Sequence, residues 1–154
     1  MTVAGTVRRR SVRAVLFDDR GEIVLMKRTK PGRSLYWTTI GGGVEPDDAS
    51  RESALHREAM EEAGARIVVG PQVFLSSGPS GRGIDIAHYF LCRMISADPA
   101  LRSGPEFADP SRGGYDVDHL RPDQLTTLDL KPVELRAFVV ANLAALMSEV
   151  ALLG

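Results

Sequence analysis

The residues of this 154-residue chain that could do chemistry crowd into one stretch, Gly41 to Ala65, which reads GGGVEPDDASRESALHREAMEEAGA. From about Ala49 to Ala63 the apolar residues Leu55, Ala59, Met60 and Ala63 recur at helical spacing. Asp48 or Ser50 would cap the start of that helix and Gly64 would close it. Glu58, Glu61 and Glu62 then fall in one narrow sector, because steps of three and four residues bring side chains onto the same face. Like charges at those steps cost about 0.2–0.5 kcal/mol per pair. The last turn is also the negative end of the helix dipole, where a carboxylate costs roughly 0.3–1 kcal/mol. Three carboxylates held there against both costs need a counter-charge.

Arg57, four residues before Glu61, supplies one positive charge, too little for three carboxylates. A divalent cation supplies the remainder, and clustered carboxylate oxygens with water are the donor set of Mg²⁺ or Mn²⁺. Mg²⁺ retains several waters and commonly bridges to substrate phosphates, which points to phosphate-ester or pyrophosphate chemistry. A solvated acidic face would account for an isolated Glu-Glu pair. It leaves unexplained the glycines Gly41, Gly42 and Gly43, which let backbone approach a ligand closely at an entropic cost.

The elements around this stretch must position it. Ser11–Phe17 reads as a strand, with Val12, Ala14 and Leu16 alternating against Arg13, Val15 and Phe17. Glu22–Arg28 is a second strand after the turn residues Asp18 to Gly21, and Leu35–Ile40 is a third that runs into the glycines. Arg66–Val69 and Val73–Ser77 read as two strands. Ile84–Ile95, apolar on both faces, reads as a central one. Residues 97–114 form a polar loop long enough to suspect of function, and Tyr115–Leu120 reads as a last strand. Pro132–Leu152 reads as one closing helix whose reverse face, with Ala137, Val140, Ala141 and Ala144, is also apolar. That second apolar face suggests a homodimer.

Composition bounds the function. Hydrophobic residues at 44% and charged residues at 25% match a globular domain and exclude a disordered tail. Nineteen Lys and Arg against twenty Asp and Glu give a net charge of −1, which argues against bulk nucleic-acid binding. The single cysteine, Cys92, cannot form an internal disulfide and reads as a buried structural thiol. Arg8, Arg9 and Arg10 imitate the start of an export leader, but Arg13 and Asp18 interrupt the apolar run that should follow. The expectation is one cytoplasmic domain over residues 1–154, with no membrane partner.

The stretch resembles the Nudix box, whose pattern is G, five residues, E, seven residues, R-E-U-x-E-E-x-G-U, with U a bulky apolar residue. Arg57, Glu58, Glu61, Glu62 and Gly64 match in full, and Gly42, Gly43, Val44, Glu45, Pro46, Asp47 and Asp48 form the front half. Asp48 stands where the family has Glu, and the spacer from Asp48 to Arg57 is eight residues. Both U positions are alanines, Ala59 and Ala65, and Ile40 sits where many relatives have Pro.

The resemblance implies an α/β (α+β) fold, an αβα sandwich with a mixed central sheet. It implies hydrolysis of a nucleoside diphosphate linked to another moiety, with Mg²⁺ or Mn²⁺. The alternative is a Nudix-fold module that senses a nucleotide or sugar without turnover. Carried over by position, Glu58, Glu61 and Glu62 become metal ligands or the base that orients water, Arg57 holds the glutamates, and the carbonyl of Gly41, or else of Gly42, completes the metal shell. Gly42 and Gly43 approach the substrate. Such proteins often add an acid from outside the box, for which Glu106 is the choice over Asp109, Asp116 and Asp118. Arg28 is the expected phosphate contact, with Lys30, Arg33, Arg82 and Arg112 as further cations. His88 reads as a core histidine, Trp37 as core packing and Tyr36 as a stacking candidate. Pro79 hints weakly at an ADP-ribose substrate.

Overall fold

The computed structural model describes residues 6–81, 83–104 and 109–154. Strand β1 spans Val7–Phe17. Its period-two pattern sends Val12, Ala14 and Leu16 to one core and Val15 and Phe17 to another, all at most 1% exposed. One edge of β1 runs parallel to β6 (Gly83–Ala97) from Val7 to Phe17. Its other edge is divided between β4 (Ile40–Gly43), facing Ser11 to Ala14, and β2 (Ile23–Thr29), facing Leu16 and Phe17. β3 (Tyr36–Thr38) and β7 (Gly114–Leu120) pair with β2, and β5 (Ala65–Ser80) pairs antiparallel with β6. The sheet is therefore mixed, and β6 is central, between β1 and β5.

Helix α1, Arg51–Ala63, covers one face. Ser50 is the cap, its Oγ accepting from the Ser53 N–H at 3.0 Å, and Gly64 closes the helix at φ 60° and ψ 30°. The buried face is Ala54, Leu55, Ala59 and Ala63, small residues apart from Leu55, so the helix lies close on the sheet. Burying Leu55 contributes roughly 1.5–3 kcal/mol.

The opposite face is covered by α2 (Val133–Ala141) and α3 (Leu143–Val150), which bury Leu135, Val139, Leu146 and Val150. The single closing helix expected over Pro132–Leu152 is thus two. The break is Asn142, at φ −117° and ψ 16°, whose Nδ2 donates to the Phe138 carbonyl at 2.8 Å. An asparagine side chain that captures a carbonyl four residues back competes with helix continuation. Val140, Ala141 and Ala144 on the reverse side are exposed.

Three further expectations change. Leu35–Ile40 splits at Thr39 into β3 and β4, so the glycine run is itself a strand on the edge of β1. The two strands expected around Gly70 and Pro71 are one, β5, carried past the proline by irregular pairing between Val69 and Gln72. Among the described residues, the 97–114 segment holds two short turns, Pro99–Leu101 and Pro110–Arg112, each capped by an aspartate, Asp98 and Asp109. Cys92 is fully buried, and burial pushes its thiol up to about 12. Among the described residues, no helix is long and apolar enough to cross a membrane.

Candidate active site

The three glycines of β4 each meet a different neighbour. A β-carbon on Gly42 would stand 2.5 Å from the Glu58 carboxyl group. One on Gly43 would stand 2.9 Å from Arg9 Nη2, and one on Gly41 would strike the Val12 carbonyl oxygen. Successive residues of a strand face opposite ways, so the carboxylate and the guanidinium flank β4 on its two sides. The space that glycine was expected to leave for a ligand is, beside Gly42 and Gly43, occupied by the protein's own charged groups.

Arg57 ties the box together. Its Nε and Nη2 donate to the two oxygens of Asp48 at 3.0 and 2.9 Å. Nη2 also donates to the Gly43 carbonyl at 3.1 Å, and Nη1 reaches Glu58 Oε1 at 2.9 Å and Glu61 Oε2 at 3.4 Å. A bidentate guanidinium–carboxylate fork fixes orientation as well as charge. Asp48, the residue that departs from the box pattern, is therefore the main anchor of Arg57. That bond, with the Glu45 N–H, holds its carboxyl below the usual range. Helix α1 is continuous from Arg51 to Ala63, so the one-residue-longer spacer leaves the helical register from Arg57 to Gly64 intact.

Glu58 is affected differently. Burial pushes its pKa above the ordinary value, Arg57 offsets part of this, and Glu61 adds to it. Glu62 Oε2 accepts from the Gly41 N–H at 3.2 Å. The C-terminal carbonyls of α1 are held from outside: Ser103 N–H donates to Glu61 O at 2.9 Å and Arg102 Nε to Glu62 O at 2.7 Å. The Pro99–Leu101 turn and the residues after it thus brace the last turn of α1, where the carboxylates sit.

Glu58, Glu61 and Glu62 line a cavity of about 360 Å³. Arg9, Arg13, Arg28 and Arg112 line it too, with Gly41, Gly42 and Gly43. The structure therefore brings Glu58, Glu61, Glu62, Arg28 and the three glycines to one cavity, with Arg57 hydrogen-bonded to two of those carboxylates. Arg28 takes a less direct place than expected, since its Nε and Nη2 donate to the carbonyls of Gly114 and Arg112 at 3.2 and 2.8 Å. Its guanidinium stacks 3.6 Å from the centre of the Tyr115 ring, a further cavity residue.

Other candidates fall elsewhere. Lys30 and Arg33 do not line the cavity, nor do Asp109, Asp116 and Asp118. Asp109 caps Ser111, and Asp118 accepts from the Trp37 indole at 3.0 Å. Tyr36 is buried. His88 is 3% exposed between Arg10 and Gln72, at 3.0 and 2.9 Å, as a core histidine. Pro79 pairs with Ile84 in the sheet. Glu106 and Arg82 lie outside the described residues.

Sequence reasoning missed Arg9 and Arg13. Their spacing was the available signal, because residues four apart on a strand share a face.

The carboxylates that line the cavity are hard oxygen ligands that suit Mg²⁺ or Mn²⁺. Among the described residues, the group whose ligand atoms all lie within 4.8 Å is a different one, Asp18, Glu22 and His119. It is a turn already satisfied internally: Asp18 accepts from the N–H groups of Arg20 and Glu22 and from His119. Burial opposes ionisation of Asp18, but those bonds prevail and keep its pKa low.

The NUDIX domain profile matches residues 7–135. The chain belongs to the Nudix family. Its fold is shared with the solution structure of the E. coli ORF135 protein, at TM-score 0.64 and 24% identity over 94% of each chain. A NUDIX hydrolase from Nitrosomonas europaea superposes at TM-score 0.67 with 16% identity, covering 88% of this chain and 89% of that one. The MutT protein from Methanosarcina mazei Go1 gives 0.64 with 22% identity over 89% and 91%. No curated protein matches by sequence. The Nudix box of this chain, residues 42–65, thus runs from the end of β4 through α1 to the start of β5.

Proposed function

We propose that this chain is a metal-dependent hydrolase that cleaves the pyrophosphate bond of a nucleoside diphosphate linked to another moiety, by attack of water at phosphorus. The observation that carries the reading is the cavity itself, where three carboxylates of α1 and four arginines meet at the three glycines of β4. Glu58, Glu61 and Glu62, with the Gly41 carbonyl, would hold Mg²⁺ or Mn²⁺. When bound, the ion polarises the bridging phosphate oxygens and lowers the pKa of a coordinated water.

The chain's own residues do the rest. Arg57 fixes the carboxylates of Glu58 and Glu61 while Asp48 fixes Arg57. Burial raises the pKa of Glu58, which suits a group that orients water as a base. Arg9 and Arg13 offer cationic donors to phosphate oxygens on the other side of β4. A sensor without turnover has no use for three mutually repelling carboxylates at a helix C-terminus. The exposed face of Val140, Ala141 and Ala144 keeps a homodimer within this reading, which solution scattering at micromolar concentration would check.

The test is a phosphate-release screen over ADP-ribose, nucleoside triphosphates, dinucleoside polyphosphates and nucleotide sugars, with Mg²⁺ or Mn²⁺. Glu61→Gln and Glu62→Gln should each lower turnover by orders of magnitude while the fold persists. Equal turnover in variant and parent would refute the ligand assignment.

A further inference from the structure

Four arginines lie within seven residues of β1, and three of them have partners. Arg8 pairs with Asp85 at 3.2 Å, Arg10 contacts His88 at 3.0 Å, and Arg13 Nη1 donates to the Thr39 carbonyl at 3.0 Å. Arg9 makes no hydrogen bond or ion pair among the described residues, yet its guanidinium lies along Gly43 at the cavity wall. Like charges this close repel one another, and a guanidinium with no bonded partner at a cavity wall is open to an anionic ligand.

Arg13 occupies a boundary. It lines the carboxylate cavity and also a second cavity of about 560 Å³, whose wall includes Tyr89, Leu130, Pro132 and Val133. Arg9 lines only the first. β1 sets the two arginines about 13 Å apart along the strand. A linear ligand with its organic half in the second cavity therefore meets Arg13 first and Arg9 last.

We infer that Arg13 and Arg9 read the length of the substrate's phosphate chain, Arg13 holding the phosphate next to the organic moiety and Arg9 the terminal phosphate of a three-phosphate chain. This inference rests on the pyrophosphohydrolase reading and narrows its substrate class to nucleoside triphosphates. A nucleotide sugar places neutral hydroxyls beyond its second phosphate, and hydroxyls leave Arg9 without a counter-charge. A third phosphate offers the oxygen pair that a guanidinium fork accepts.

The experiment is titration calorimetry of the full chain, with Mg²⁺ present, using inorganic tripolyphosphate and pyrophosphate as probes. Parent, Arg9→Gln and Arg13→Gln are compared, and circular dichroism confirms that each is folded. The parent should bind tripolyphosphate at least about tenfold more tightly than pyrophosphate. Arg9→Gln should erase that ratio, and Arg13→Gln should weaken both probes alike. Equal affinities in the parent, or a ratio that survives Arg9→Gln, would overturn the inference. The hydrolysis screen is read separately. A preserved ratio without hydrolysis of any nucleotide sinks the enzyme reading alone, whereas a flat ratio with brisk ADP-ribose cleavage sinks the chain-length reading alone.

Discussion

The carboxyl group of Glu58 rests 2.5 Å from the point that a β-carbon on Gly42 would occupy. Strand β4 and helix α1 are therefore spaced for a bare backbone, and the position of the carboxylate depends on that. Gly42→Ala must displace either Glu58 or β4. A shift of about 1 Å at a reacting group can cost on the order of 100-fold in rate, and a loss of that size in kcat/KM is the expected result. Gly78→Ala, whose β-carbon would meet nothing within 4 Å, is the control. Parental activity in Gly42→Ala would show that Glu58 is not held where turnover needs it.

Asp48 engages Arg57 through two donors, leaving only Nη1 for Glu58 and Glu61. Removing that carboxylate frees the guanidinium to compete with a cation for the same glutamates. Asp48→Asn should therefore shift the Mg²⁺ dependence of activity to higher concentration, by about tenfold if one charge-assisted bond of about 1.4 kcal/mol is redirected. Asp48→Glu should restore part of the parent's behaviour. An unchanged Mg²⁺ titration in Asp48→Asn would mean that the fork has no bearing on the cavity.

The α1 helix, its Gly64 stop and its carboxylate face were legible because each rests on local spacing, which also narrowed the cap to Asp48 or Ser50. The alternation of β1 was legible for the same reason, and so was the centrality of β6, which is apolar on both faces. What the sequence hid is nonlocal. Nothing in the run Leu35 to Gly43 says that the chain leaves β2 at Thr38 and joins β1 at Ile40. The apolar periodicity from Leu135 to Val150 continues across Asn142 and so conceals the break made by its side chain. Arg9 and Arg13 join the site only because β4 lands beside β1, a pairing that no local pattern announces.

His88 gives a pH dependence that can be measured on the fold itself. Burial lowers its pKa, and the nearby charges of Arg51 on α1 and Arg10 on β1 lower it further. Gln72 on β5 contacts Nδ1, and Arg10 contacts Nε2, which can accept only in the neutral ring. A depressed folded-state pKa means that the unfolded chain binds the proton more readily. Stability is then complete above about pH 6.5 and is lost as pH falls from there toward the folded value. Urea unfolding midpoints at about pH 7.5 and pH 5 should show this loss in the parent, and His88→Gln should flatten it. An equal slope in both proteins would place the titrating group elsewhere.

Ala59 and Ala65 stand where the box pattern prefers bulky residues, and packing explains the first. Ala59 is fully buried, together with Ala54 and Ala63, on the face that α1 lays against the sheet. The same close approach sets Glu58, one residue earlier, against Gly42. Restoring the bulk with Ala59→Leu inserts a larger side chain into a filled interface, which costs about 1–3 kcal/mol. It also lifts α1 away from β4 and carries Glu58 with it. The expected outcome is a lower urea midpoint with an unchanged m-value, together with reduced kcat. A variant as stable and as active as the parent would mean that the interface has room to spare, and that the small residues at this position do not set the distance between the carboxylates and the glycine strand.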